Sequence, residues 1–271
     1  MFLFQDTSTT GQDMLRVLDN VVNIVIICDM IDLSLSKKLS CAYKSAHPFP
    51  YVVIDNFLPE YILDRSLLEL IDYDNWFTNQ EKWVEKYQVN KFFIPDADSD
   101  IPNLKKEIPY TSLIIDYLNS KEFLQYLKDL TGHDNLYCDP ILLGGGVHKI
   151  KKGGKLSVHY DYNTHPGTFH KRKLNLLIYM NKNWKKEYNG NLELWERDLS
   201  KKIVDIEPIF NRAVLFDVEN APHGHPIPLE TPDFVSRYSL AIYYFVEEIP
   251  DEQKTVFFID DDWLFRTTNL K

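Results

Sequence analysis

The chain has 271 residues, 44% of them apolar with 16 Phe and 16 Tyr, which is enough to build a core and excludes a disordered chain. A net charge of -10 disfavours general binding to nucleic acid, whose phosphates an acidic surface repels. Three cysteines, Cys28, Cys41 and Cys138, are too few and too far apart for a disulfide framework or a CxxC metal site, so a reducing, cytoplasmic location is expected.

Residues 1–45 read as an N-terminal extension of unknown role, ahead of a domain over 46–250 and a tail over 251–271. The first dozen residues are polar. The apolar run 21–28 lies between Asp19 and Asp29, with no cationic segment before it. It is shorter than the ~20 residues a membrane helix needs, and it reads as a buried strand or helix rather than a span or secretory signal. Pro48-Phe49-Pro50-Tyr51-Val52-Val53-Ile54-Asp55 reads as the strand that opens the main domain. Residues 58–70 have helical periodicity, with Pro59 in the first turn. Residues 73–100 are aromatic and polar without a period, and irregular structure is expected there. Helices are predicted over 111–118 and 121–130, with Ser120 as N-cap and Gly132 as the stop.

From about residue 140 the texture changes to short β-rich runs: 141–143, 146–150, 156–161, 174–180, 191–195, 213–216 and 236–246. Turn signals separate them at 153–154, 166–167, 189–190 and 222–228. Many short strands with regular turns imply a sandwich or barrel. The expected class is α+β with a mainly β core, a jelly-roll sandwich with N-terminal helices packed on it. There is no internal repeat.

His159 and Asp161 stand two apart in a predicted strand, so both side chains project from one face. Followed by a histidine after a later strand, they spell the two-histidine, one-carboxylate triad that holds a non-haem Fe(II) on one face and leaves the opposite positions open. Imidazole and carboxylate suit Fe(II), and no nearby thiolate favours structural zinc. The third ligand is ambiguous between His223 and His225, with His223 preferred for its place just past a strand and before Gly224. Arg237 would be expensive in the apolar strand Ser-Leu-Ala-Ile-Tyr-Tyr-Phe without an anionic partner. Its planar fork suits a carboxylate, and Ser239, two along, shares its face. The triad and this strand together suggest an Fe(II) oxygenase that uses a 2-oxo acid. Charge is also uneven. Residues 148–186 carry ten Lys/Arg and one acid, Asp161, which suggests either solvated loop lysines or a cationic rim that attracts an anionic substrate.

Residues from about 140 to 246 resemble the prolyl 4-hydroxylase-like branch of the Fe(II)/2-oxoglutarate dioxygenases. The resemblance is carried by Gly144-Gly145-Gly146-Val147-His148, Val158-His159-Tyr160-Asp161, Leu174-Asn175-Leu176-Leu177-Ile178-Tyr179-Met180-Asn181, Gly190-Asn191-Leu192-Glu193-Leu194-Trp195, His223-Gly224-His225-Pro226 and Arg237-Tyr238-Ser239-Leu240, with the opening strand at Pro48. It implies a double-stranded β-helix, or cupin-like jelly roll. It implies Fe(II) at His159, Asp161 and His223, and 2-oxoglutarate chelating the metal with its distal carboxylate on Arg237. Tyr179 matches the tyrosine that shares this carboxylate. O₂ is the second co-substrate, and ascorbate is a candidate reductant. One departure stands out: the tyrosine found in many members nine residues before the first ligand is Ile150 here, and His148 on the same face is a candidate substitute.

The implied reaction is hydroxylation, coupled to conversion of 2-oxoglutarate to succinate and CO₂, with a peptidyl proline as the leading substrate. A sugar, glycan or other small anionic substrate is the second reading. A non-catalytic binding module on the same fold and a zinc hydrolase are the others. Loops at 73–100 and 163–173, with Tyr160, Tyr162, Trp195 and Tyr243, are candidates to shape the entrance.

Overall fold

The computed structural model describes residues 30–78, 88–94, 101–139, 142, 144–165, 167–248, 252–259 and 262–269. The expectations for the run 21–28 and for Cys28 lie outside these, as do most of the strand expected at 141–143 and half of the turn at 166–167. The chain divides into two compact units, Met1–Asp32 and Leu33–Lys271. The second holds all the described helices and strands.

Its helices are α1 (Leu35–Ser45), α2 (Glu60–Asp72), α3 (Ile101–Glu107), α4 (Pro109–Leu118) and α5 (Lys121–Thr131). The last shows why they form where they do. The Ser120 side chain accepts the Phe123 amide at 3.2 Å, and Gly132 ends the helix at φ 83, where a side chain would be strained. Phe123, Tyr126, Leu127 and Leu130 recur at helical spacing, so they form one buried face. That face packs on the sheet, with the Phe123 and Tyr244 rings 6.1 Å apart.

The strands are β1 (Tyr51–Asp55), β2 (Phe77–Thr78), β3 (Gln88–Ile94), β4 (Tyr137–Cys138), β5 (Gly146–Tyr160), β6 (Lys171–Tyr179), β7 (Leu192–Trp195), β8 (Lys202–Ile206), β9 (Arg212–Asp217), β10 (His223–His225), β11 (Arg237–Val246), β12 (Glu252–Ile259) and β13 (Asp262–Asn269). They run antiparallel in the order β1-β9-β6-β11-β5-β10-β7-β8, with β3 and β12 also on β5. The long strand β5 is the hinge of this arrangement. Its first part pairs with β11 (Ile150 with Arg237) and its last part with β10 (His159 with His223). One strand therefore belongs to both layers of the sandwich, which curls the sheet on itself into a double-stranded β-helix. Phe49, Leu192, Leu194, Ile206, Val214 and Phe216 fill the space between the layers. Strand β11 is buried along nearly its whole length, because helices cover one face and the sandwich interior the other.

Three expectations are corrected. The segment 73–100 is not irregular throughout: β2 pairs with β3, and β3 runs along β5. Residues 146–150 and 156–161 do not form two strands around a turn. They belong to one strand that bulges between them: Ile150 pairs with Lys91 and Lys155 with Val89, Gly153 has φ +72, and a Cβ on Gly154 would lie 2.4 Å from Ile150 Cγ2 and 2.7 Å from the Lys151 carbonyl. The segment 251–271 is not a plain tail, since β12 and β13 form a hairpin and β12 pairs with the end of β5. Among the described residues, no helix is long and apolar enough to cross a membrane.

Candidate active site

The site is built on the cross-strand pair His159 (β5) and His223 (β10), whose ring centroids are 4.6 Å apart. Asp161 follows β5 immediately. His159 Nε2 lies 3.4 Å from Asp161 Oδ1, and His223 Nε2 lies 3.6 Å from Asp161 Oδ2. One ligand atom from each of the three lies within 4.8 Å of the others. Each imidazole has its Nδ1 2.9 Å from a backbone carbonyl, Ser157 for His159 and Ala221 for His223. A carbonyl only accepts, so Nδ1 carries the hydrogen, and in the neutral ring Nε2 turns its lone pair inward, as a metal-binding histidine requires.

Burial alone would raise the Asp161 carboxyl. The Arg172 guanidinium, then His223 and His159, more than offset this and hold it well below the usual carboxylate range. Burial pushes His223 down to about 4 against an ordinary 6.5, although Asp161 pulls the other way. His148 and His225 are pushed well down by burial, with Lys91 and Arg237 adding to the effect. These shifts carry a sign. An imidazole with a folded-state pKa below its unfolded one is protonated first in the unfolded chain. Its stability contribution is complete above about pH 6.5 and is lost as pH falls toward 4. For His223 the full loss is roughly 3 kcal/mol. The urea midpoint of the metal-free protein is therefore expected to drop clearly between about pH 7.5 and about pH 5. A pH-independent midpoint would mean that these rings are hydrated.

Behind the triad lies a cavity of about 120 Å³, lined by all three residues together with Lys91, Arg237 and His225. Arg237 is 4% exposed, and its Nε donates to the Gly190 carbonyl at 2.9 Å. That bond fixes the fork and leaves the terminal nitrogens for a ligand. Tyr179 packs in the core with Arg237 Cζ 4.9 Å from its ring centre, and its buried hydroxyl lies close to that guanidinium without a well-formed hydrogen bond. Ser239, between Tyr179 and His148 in register, lines the cavity, as does His148 itself. His225 also lines it, with both ring nitrogens unpartnered, but lies outside the His159–Asp161–His223 cluster. Of the four aromatics expected at the entrance, Tyr162 and Tyr243 line the cavity. Tyr160 and Trp195 are not among its lining residues: the Tyr160 hydroxyl donates to the Arg197 carbonyl and the Trp195 indole to Glu193.

Two cations were not foreseen. Lys91 comes from β3, opposite Ile150, and burial pulls its ammonium down to about 8. Arg172 lies under Asp161, its Nη2 3.0 Å from Oδ2. Alternation along 88–94 was the available signal for Lys91. For Arg172 the alternation misleads. A bulge between Tyr244 and Phe245 of β11 skips Lys173, so Arg172 joins the face of Asn175 and Leu177.

The donor set, the fixed guanidinium and the unpartnered polar atoms of Tyr179, Asn175 and His225 fit a metal with an anionic chelator. Residues 145–245 match the model of the 2OG-Fe(II) oxygenase superfamily. The β core is thus similar to the 2OG-Fe(II) oxygenases, and the relatives it resembles are prolyl hydroxylases. Among curated proteins it is similar to the prolyl hydroxylase EGLN3 of Homo sapiens, at 27% identity over 148 residues, which is 50% of this chain and 57% of that one. The match thus spans little more than half the length of this relative. The fold is shared with a prolyl hydroxylase from Trichoplax adhaerens, solved in complex with a hypoxia inducible factor peptide (TM-score 0.53, 16% identity, 90% of this chain and 96% of that one). It is shared too with HygX from Streptomyces hygroscopicus, solved with nickel and 2-oxoglutarate (TM-score 0.51, 12% identity, 78% and 87%).

Proposed function

We propose that this protein is an Fe(II)- and 2-oxoglutarate-dependent dioxygenase that hydroxylates a peptidyl proline. One oxygen atom of O₂ goes to the substrate and the other to succinate, and CO₂ is released. The observation that carries this reading is the convergence of His159, Asp161 and His223 on a cavity that also holds the buried, fixed guanidinium of Arg237. Fe(II), when bound, supplies the redox chemistry.

In this reading two neutral imidazoles offer lone pairs through Nε2, and the Asp161 carboxylate offsets part of the metal's charge. Arg237 takes the distal carboxylate of 2-oxoglutarate, with Ser239 and the Tyr179 hydroxyl as further donors. His148 and His225 add polar contacts inside the cavity. The similarity to prolyl hydroxylases, one of them solved with a bound peptide, supports a peptide substrate, and the few, widely spaced cysteines favour a cytoplasmic role. Lys91 favours a second reading, the same chemistry on a small anionic substrate, because it adds a cation to the cavity. Succinate release with proline-containing peptides or with small acids separates the two.

The test of the cofactor site is an anaerobic visible spectrum with Fe(II) and 2-oxoglutarate. A weak charge-transfer band is expected, lost in Asp161→Ala and in Arg237→Ala. No band from the folded wild-type protein would reject the reading and favour a binding module or a zinc enzyme.

Gly190 gives a finer check. Its φ is +79, and a Cβ there would lie 2.5 Å from Leu229 Cδ2 and 3.2 Å from Arg237 Cδ. Gly190→Ala is expected to cost about 1–2 kcal/mol of stability and to raise the KM for 2-oxoglutarate several-fold by displacing the arginine. An unchanged KM would show that the arginine tolerates the shift.

A further inference from the structure

Of the ten lysines and arginines in the 148–186 stretch, Arg172 alone is buried, at 1% exposure. A buried guanidinium is costly unless an anion offsets it, so its placement needs a reason. Its Nη2 is 3.0 Å from Asp161 Oδ2, an ion-pair contact rather than a hydrogen bond, while its central carbon lies 3.3 Å from the ring centre of Tyr243 and 4.7 Å from that of Tyr162. The two rings, nearly perpendicular to each other, both offer π-systems to the cation. Asn175 Nδ2 donates to the same carboxylate oxygen at 3.3 Å.

The two oxygens of Asp161 are therefore not equivalent. Each oxygen faces one ligand imidazole, Oδ1 the Nε2 of His159 at 3.4 Å and Oδ2 that of His223 at 3.6 Å, but Oδ2 also meets a guanidinium and an amide N–H. A carboxylate can bind a metal through one oxygen or chelate it through both, and chelation consumes an additional coordination position. With three protein donors and a two-toothed 2-oxo acid on an octahedral ion, a single position is left. A chelating Asp161 would close it.

We infer that Arg172 is a positioning residue that engages Oδ2, restricts Asp161 to coordination through Oδ1 and so keeps one position open. The inference rests on the Fe(II)/2-oxoglutarate reading above. Arg172 does not itself line the cavity, and it acts through three residues that do, Asp161, Tyr162 and Tyr243.

The test uses the full chain loaded with Co(II), whose visible bands report coordination number, titrated anaerobically with 2-oxoglutarate. Wild type should show Co(II) bands that change as the 2-oxo acid binds. Arg172→Met keeps the packing on Tyr243 and removes the fork. It is expected to hold Co(II) at least as tightly, since a nearby cation is gone. Its band shape should differ before 2-oxoglutarate is added, and it should need about tenfold more 2-oxoglutarate. Identical bands and identical titrations would overturn the inference and leave Arg172 a packing residue. A wild-type protein that shows no Co(II) bands would instead overturn the metal site itself. If the methionine variant does not fold, Arg172→Lys keeps the charge without the fork and is expected to shift the bands in the same direction. Wild-type bands from the lysine variant would count against the inference.

Discussion

Arg237→Ala should weaken 2-oxoglutarate binding by roughly 100-fold while metal binding is kept. The guanidinium is buried and is held by a hydrogen bond from Nε to the Gly190 carbonyl. It has little conformational freedom to lose when a carboxylate arrives. A two-pronged, charge-assisted contact of this kind contributes about 3 kcal/mol, which is about two orders of magnitude in affinity. The residue lies on β11, paired with Ile150 of β5 and away from the triad, so the metal ligands are untouched. The anaerobic charge-transfer band, titrated with 2-oxoglutarate, gives the affinity, and Mn(II) binding gives the control. Arg237→Lys should recover only part of the loss, because a point charge on a flexible stem cannot replace the fork. A change of less than about threefold in the alanine variant would mean that the co-substrate binds elsewhere.

Asp161→Ala should remove the metal site and also destabilise the metal-free protein by about 3–5 kcal/mol. The second effect follows from Arg172. With the carboxylate gone, a fully buried guanidinium keeps the neutral Tyr162 and Tyr243 beside it and loses its anionic partner. Pairing Asp161→Ala with Arg172→Met removes both charges, and the double variant should regain most of the lost stability while still failing to bind metal. Urea unfolding of the metal-free proteins measures this. If the single Asp161→Ala variant unfolds at the wild-type midpoint, Arg172 is hydrated in solution and the pair contributes nothing.

Much of the architecture was legible in the chain because it rests on local signals. The helix at 121–131 is announced by its serine cap, its apolar stripe and its terminal glycine, and it forms where expected. Strands β6, β9 and β11 follow apolar runs bounded by turn residues. The His159-x-Asp161 spacing places two side chains of the right chemistry at the end of one strand whatever the rest of the fold does.

Other features were hidden for physical reasons. The glycine pair at 153–154 has the composition of a turn, yet it makes a bulge within β5, because β3 pairs with the strand on both sides of it. The segment 73–100 shows no period, and β3 is strand-like only because β5 offers it a hydrogen-bonding edge. Polar residues around 222–228 look like a loop, while His223–His225 is a short strand set by pairing on both sides.

Residue type and spacing were enough to specify the kind of chemistry: imidazole, carboxylate and guanidinium, strand-borne, in an order that resembles one family. Which cations turn inward was another matter. Lys91 reaches the cavity through the register of β3 on β5, and Arg172 reaches Asp161 through a bulge opposite β11 that reverses the alternation of β6. Register and bulges come from pairing between segments far apart in the chain. No local period encodes them, so the environment of the Asp161 carboxylate existed only once the sheet had closed.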